Sequence, residues 1–377
     1  MLRHNAPDYT ISKLERAHDH LHIEWSDGAE DIVHYIWLRD SHERHSTRNH
    51  QPDTYSILDI PLTIAPNRIT VDHHLKIEWS DGIITTTEFE WLRENRYAQH
   101  RSPSAPPSIK LWAAKDIRQP VTFFDYEPVL DERRMLEHLR DLGFAIIKGV
   151  PPRSGMVLEV LDRFGFVRHT NYGATWEVKA DHSTAGPVNT NSALPSHVDN
   201  PYRQQKPSIT MLHFISNDAD GGESTLVDGF YLAEQLRELD PRAFELLART
   251  PVRYAHRDED NQFQHSDSMI AINGWGEITH INMNPSFMKP FRVPPEDMLD
   301  FYAAYQKFAR MIENPANQLE TRLEPGDLLI LNNLRVLHGR RSFSCSTSSR
   351  IIEGCFSDID GFLSKLAVLQ RQPPAPT

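Results

Sequence analysis

Three observations on the 377-residue sequence predict an α+β, mainly β chain: a small N-terminal β-rich domain, then a double-stranded β-helix (jelly-roll) domain with flanking helices. The first hundred residues repeat themselves. A proline-rich stretch then breaks the pattern, and the remainder alternates short apolar runs with turn residues and a few helical patterns. The boundaries read as 1–97 for the first domain, 98–112 for a linker and 113–377 for the second domain.

The repeat is read directly. Leu21-His-Ile-Glu-Trp-Ser-Asp-Gly28 recurs as Leu75-Lys-Ile-Glu-Trp-Ser-Asp-Gly82, and Trp37-Leu-Arg-Asp40 recurs as Trp91-Leu-Arg-Glu94, both at an offset of 54. One unit was duplicated. Each unit runs from an alternating stretch through Asp-Gly into a second extended stretch, the pattern of a β-hairpin. Residues 98–108 carry three prolines and no apolar periodicity, as a linker does. Beyond it, Asp131–Asp141 and Met156–Phe164 read as helices and Gly143–Val150 as a buried strand. Ile209–Asn217 is an apolar strand, and Pro294–Asn314 is the longest helix, opened by Pro-Pro-Glu-Asp. Leu323–Asn332 is a turn entering a strand, and Arg335–His338 and Arg350–Phe356 are further extended runs.

Composition removes several classes. The formal net charge of −12 argues against nucleic acid as a partner. Cys345 and Cys355 are the two cysteines, too few for a disulfide framework. No apolar run fits a signal peptide or a membrane span, so the expected location is cytoplasmic, without membrane contact.

The chemistry concentrates in His197-Val-Asp199 and Leu337-His338-Gly339. Two imidazoles and one carboxylate occupy one face of a ferrous ion and leave the opposite face open, which oxygen chemistry requires. A lone His-x-Asp is weak among twenty histidines; the pair gains meaning from Arg350. That arginine heads an apolar strand, so its guanidinium should be partly buried and in need of a carboxylate, such as the far end of 2-oxoglutarate. Gly221-Gly-Glu-Ser-Thr225 offers a hydroxyl to the same carboxylate, Ser224 first and Thr225 second.

Together these segments resemble the γ-butyrobetaine hydroxylase family, within the taurine-dioxygenase-like iron(II) and 2-oxoglutarate oxygenases. The motifs run in the family's order over nearly the whole chain: Trp-Leu-Arg-Asp, Tyr172-Gly-Ala-Thr-Trp176, His-x-Asp, Gly-Gly-Glu-Ser, Pro-Gly-Asp, Asn-x-Arg-x-Leu-His-Gly-Arg-Arg-Ser and Arg-x-x-Glu-Gly. The resemblance implies iron on His197, Asp199 and His338, with 2-oxoglutarate on Arg350 and dioxygen as co-substrate. It also implies that Tyr172 and Trp176 wall a pocket for a trimethylammonium group and that Asn284 binds the substrate's anionic end.

The departures are as informative. The family's zinc-binding cysteines after Trp-Leu-Arg-Asp are replaced by Ser41-His-Glu-Arg-His-Ser-Thr47, and Ile83-Ile84 stand where its zinc histidine is expected, so no structural zinc is predicted. Three pocket tyrosines of the family correspond here to Asn200, to the segment Val188-Asn189-Thr-Asn191, and to Phe356. Asn189 and Asn200 make that end roomier and richer in donors, while Phe356 keeps a ring face. The expected activity is therefore hydroxylation of an aliphatic carbon in a small quaternary-ammonium zwitterion, with release of succinate and carbon dioxide. Candidates are 2-(trimethylammonio)ethylphosphonate and γ-butyrobetaine. Rival readings are the same fold acting on a sulfonate, an amino acid or a protein side chain, a non-catalytic binding module, and a metal hydrolase. The N-terminal module is a candidate subunit contact, which would make a homodimer.

Overall fold

Leu21, Ile23 and Trp25 are buried and alternate with half-buried His20, His22 and Glu24, and this period of two makes a strand with one core face. The same alternation recurs at Leu75, Ile77 and Trp79. These strands belong to a computed structural model that describes residues 9–45, 56–96, 109–179, 191–344 and 350–371. The chain divides into two units, Met1–Pro103 and Ser104–Thr377.

The first unit contains β1 (Ile11–Arg16), β2 (His20–Trp25), β3 (Glu30–His34) and α1 (Tyr35–His45), then β4 (Pro66–Val71), β5 (His74–Trp79), β6 (Ile84–Glu88) and α2 (Phe89–Glu94). Each half is a three-stranded antiparallel sheet, β1-β2-β3 or β4-β5-β6. Gly28 and Gly82 sit in the left-handed region at φ +81° and +84°, which the Asp-Gly turns require. The Trp-Leu-Arg segments, expected within a module of hairpins, lie on α1 and α2 instead. Those helices cross-link the halves. Trp37 stacks on Trp91 at 5.6 Å, Arg39 donates to Asp81 (2.9 Å) and Arg93 donates to Asp27 (2.6 Å). Helix α1 thus grips the turn of the second repeat, and α2 grips the turn of the first.

The second unit runs β7 (Phe124–Asp125), α3 (Glu132–Leu142), β8 (Phe144–Lys148), α4 (Met156–Leu161), β9 (Thr175–Lys179), β10 (Leu194–His197), β11 (Ile209–Asn217), β12 (Asp220–Gly221) and β13 (Ser224–Asp228). It continues with α5 (Gly229–Leu239), α6 (Pro241–Arg249), β14 (Pro251–Arg257), β15 (Gln262–Ser268), β16 (Ile270–Ile272), β17 (Ile278–Ile281) and α7 (Met298–Glu313). Last come β18 (Leu319–Thr321), β19 (Leu328–Asn332), β20 (Val336–Arg340), β21 (Phe343–Ser344), β22 (Arg350–Ser357) and α8 (Ile359–Arg371). A six-stranded sheet has the order β7-β8-β19-β11-β22-β9, and a four-stranded sheet the order β10-β20-β13-β18. Phe144, Phe214, Leu331 and Ile352 of the first share one core with Leu226, Leu319 and Val336 of the second, so the sheets face each other. Helices α3, α4 and α8 cover the outer face of the larger sheet. Helices α5, α6 and α7 cover that of the smaller.

Two boundaries differ from the sequence reading. Residues 109–112, assigned by composition to the linker, pack into the second unit, with Trp112 buried and its Nε1 donating to the Leu142 carbonyl at 2.8 Å. The long helix begins at Met298, because Pro294–Asp297 forms a turn in which the Asp297 amide donates to the Pro294 carbonyl. Among the described residues no helix is long and apolar enough to cross a membrane.

One buried ion pair ties these layers. The Arg335 Nε and one terminal nitrogen donate to the two oxygens of Asp228 at 3.0 and 2.7 Å; that same terminal nitrogen also donates to the Lys110 carbonyl, and the other terminal nitrogen to the Asp141 carbonyl. Asp228 also accepts the Trp112, Phe230 and Tyr231 amides. Arg335→Ala strands that carboxylate in the interior, and breaking a buried pair costs about 3–5 kcal/mol. The expected result is a matching drop in unfolding free energy in urea; a loss under 1 kcal/mol would refute this account.

Candidate active site

Strands β10 and β20 pair antiparallel with His197 opposite His338. On β13, Leu226 faces the shared core and lies opposite His338, and directly opposed residues share a face. His338 therefore opens between the sheets. So do Arg340 and Ser224, the next opposed pair on that face. Thr225 alternates to the other face, which leaves Ser224 as the hydroxyl beside the arginine. Gly339 permits the close approach of β10, since a Cβ there would stand 2.6 Å from the Leu194 carbonyl.

Strand β10 ends at His197, so Asp199 sits in the following loop and is placed by long-range clamps. Its amide donates to Asn333 Oδ1 (2.7 Å), and Asn333 Nδ2 donates back to the Asp199 carbonyl (3.1 Å). The Thr210 hydroxyl donates to Asp199 Oδ2 at 3.0 Å. The Val198 amide donates to the Met283 carbonyl, and Asn284 Nδ2 donates to the Val198 carbonyl at 2.8 Å.

Donor atoms of His197, Asp199 and His338 lie within 4.8 Å of one another, a set that suits a metal ion. Each imidazole Nε2 is 3.7 Å from an Asp199 oxygen. The side chains keep 13, 20 and 12% of their surface, so the cluster is enclosed but not sealed. His197 Nδ1 is 2.9 Å from the Pro195 carbonyl, which can only accept, so Nδ1 carries the proton and Nε2 presents its lone pair.

The electrostatics suit the same role. Burial opposes the Asp199 charge, but His338, His197 and Thr210 outweigh it and hold the carboxyl down at about 2. Burial pushes His338 down to about 4 against the pull of Asp199. Burial also works against a charged His197, yet Asp199 and the Pro195 carbonyl prevail and raise it. At neutral pH the metal-free cluster thus has an ionised Asp199 and a neutral His338, and at His197 a metal ion competes with the proton that its raised value favours. Metal affinity should fall as pH drops through the raised His197 value, with proton release on binding. Calorimetry in buffers of different ionisation enthalpy checks this; binding without proton release would contradict it.

Arg350 is buried opposite Asn217, to whose Oδ1 its Nε donates at 3.2 Å. Among the described residues it has no ion-pair partner. Arg350 and Arg340 lie 5.4 and 4.8 Å from the Phe343 ring. Burial first, then the charges of Arg340 and Arg322, push Arg350 down to about 10. A buried guanidinium held down by neighbouring positive charge calls for an anion.

The aromatic candidates split into two groups. Phe356 lies opposite Thr210, the residue bonded to Asp199, and its ring is 5.5 Å from Trp176. Trp176 lies over Gly354, where a Cβ would stand 2.4 Å from the indole. Tyr172 is elsewhere. Its hydroxyl is 3.1 Å from that of buried Tyr202, whose own proton goes to Asn200 Oδ1, so Tyr172 is the donor. Tyr202 packs on His256 (4.9 Å), Phe263 (5.8 Å) and Phe287 (4.8 Å). Asn200 is buried at φ +54°, a left-handed conformation that asparagine tolerates better than tyrosine, so the backbone also selects this residue. Two of the asparagines expected at the anionic end are partly engaged already: Asn200 through its oxygen and Asn284 through one N–H. Asn189 lies outside the described residues. The clamping roles of Thr210, Asn217 and Asn333 are not legible in the sequence, although Asn333 stands in the quoted motif, because each acts on a residue outside its own element.

The family model described as taurine catabolism dioxygenase TauD, TfdA family matches residues 104–356. The model described as gamma-butyrobetaine hydroxylase-like, N-terminal, matches residues 12–92. Gamma-butyrobetaine dioxygenase of Pseudomonas sp. (strain AK-1) is 33% identical over 363 residues, 93% of this chain and 93% of that protein. Mitochondrial trimethyllysine dioxygenase of Bos taurus is 29% identical over 387 residues, covering 98% and 90%. Among solved structures, PvcB, an Fe, alpha-ketoglutarate dependent oxygenase from an isonitrile synthetic pathway, has TM-score 0.47 and 20% identity over 62% of this chain and 82% of that one.

Proposed function

The chain belongs to the taurine catabolism dioxygenase family and is a 2-oxoglutarate-dependent dioxygenase, and from that premise we propose that it hydroxylates a small quaternary-ammonium zwitterion, either 2-(trimethylammonio)ethylphosphonate or γ-butyrobetaine. The observation that carries this reading is the Trp176–Phe356 ring pair one strand position from the residue that holds Asp199. Ring faces in a pocket closed to water attract a trimethylammonium group. Two relatives reported above have names that point to trimethylammonium compounds.

His197, Asp199 and His338 would hold iron(II), and Arg350 with Ser224 the far carboxylate of 2-oxoglutarate. Iron(II) held there, with 2-oxoglutarate and dioxygen, would supply the oxidant for hydroxylation, with succinate and carbon dioxide as coproducts. The protein's own residues orient and shield. Asn333 and Thr210 fix Asp199, Asn217 fixes Arg350, and the rings present one substrate carbon to the centre. Tyr172, steadied by Tyr202, is read as the outer wall, and Asn200 and Asn284, with Asn189, as the amides near the anionic end. The facing sheets and their shared core support a jelly roll as the scaffold.

The deciding experiment measures succinate with iron(II), 2-oxoglutarate, ascorbate and oxygen, offering the two zwitterions in parallel. Strong stimulation by one names the anionic head; stimulation by neither discards the quaternary-ammonium substrate. Gly354→Ala drives a methyl into the Trp176 ring. Losing a desolvated cation–π contact of about 2 kcal/mol should raise the substrate KM roughly 30-fold, with the 2-oxoglutarate KM unchanged. An unaltered substrate KM would remove Trp176 from the pocket.

A further inference from the structure

The first unit holds a second cluster of metal-type donors, remote in sequence from the segment 41–47. Strands β2 and β3 place His20 directly opposite His34, with ring centroids 5.6 Å apart. Asp19, in the turn before β2, contacts His20 Nδ1 at 2.8 Å. The Tyr35 amide donates to the Asp19 carbonyl, tying this turn to the end of β3. Donor atoms of Asp19, His20 and His34 all lie within 4.8 Å of one another.

We propose that Asp19, His20 and His34 form a peripheral transition-metal site of the first unit, suited to zinc(II). Two imidazoles and one carboxylate favour zinc, nickel or copper over magnesium or calcium, which take all-oxygen shells. Three protein ligands on a hairpin end leave the remaining positions to water, so the site exchanges its ion rather than closing around it. A metal ion would engage all three groups at once. The internal repeat supplies an independent observation. At the same offset the second repeat carries His73, His74 and Glu88, again two imidazoles and a carboxylate. There His74 reaches Glu88 at 2.8 Å, but His73 turns out beside Asp72, 90% exposed, so one repeat gathers the set and the other does not.

The test uses the full chain with the central cluster silenced by His197→Ala and His338→Ala, titrated with zinc(II) against a chromophoric chelator. One equivalent of zinc should bind, and it should be lost when His20→Ala and His34→Ala are added. His34→Gln alone, which keeps size and polarity, should also lose the equivalent while the thermal midpoint in chelator stays unchanged. Zinc retained after the two histidines are removed, or no zinc bound in the silenced chain, overturns the proposal.

Discussion

Asp199→Ala is expected to reduce succinate formation to background and to lower bound iron(II) in the same preparation. The backbone of this loop is held by Asn333 from both sides, so the substitution removes a ligand and leaves the loop in place. What remains is a pair of imidazoles 4.6 Å apart, with no anion to offset a divalent charge and no acceptor for the Thr210 hydroxyl. Asp199→Glu should fail as well, because the longer arm displaces the carboxylate from Thr210. Turnover of 2-oxoglutarate at the parent rate by Asp199→Ala would sink the metal assignment.

Arg350→Ala should raise the KM for 2-oxoglutarate steeply while leaving the substrate KM nearly unchanged. Truncating one partner of a buried charge pair costs about 2–5 kcal/mol, or roughly 30-fold and upward in affinity. Arg350→Lys should recover part of the loss, since an ammonium restores the charge without the planar fork. Asn217→Ala separates position from charge: it frees the guanidinium but keeps it cationic, so its effect should be smaller than that of Arg350→Ala. Equal 2-oxoglutarate KM values in parent and Arg350→Ala would place the cosubstrate elsewhere.

Local signals carried much of this architecture. Alternation marked β2 and β5, continuous apolar runs marked the interior strands, and spaced histidines with a carboxylate marked the metal-type cluster. Helices α1 and α2 escaped because Tyr35, Ile36, Trp37 and Leu38 are contiguous, and a short apolar run does not separate strand from helix. The clamps escaped for another reason. Asn333 is 134 residues from Asp199 and Asn217 is 133 from Arg350, and no local pattern encodes such pairings. Asn200 was legible as a departure from the family's tyrosine, but its left-handed backbone and its bond to Tyr202 emerge only with the fold.

The reciprocal grips in the first unit have a consequence for how it can evolve. Arg39 holding Asp81 and Arg93 holding Asp27 are the contacts two identical chains would make across a two-fold axis. Fusing the copies makes association intramolecular, at a high effective concentration that no dilution abolishes. Each half is then free to drift. The Trp25 indole still donates to Asp31, while its counterpart Trp79 donates to Thr85, so a buried carboxylate in one copy is a hydroxyl in the other with the bond preserved. Symmetric substitutions would burden a homodimer twice over; here a single-site change tests one half against its unaltered twin.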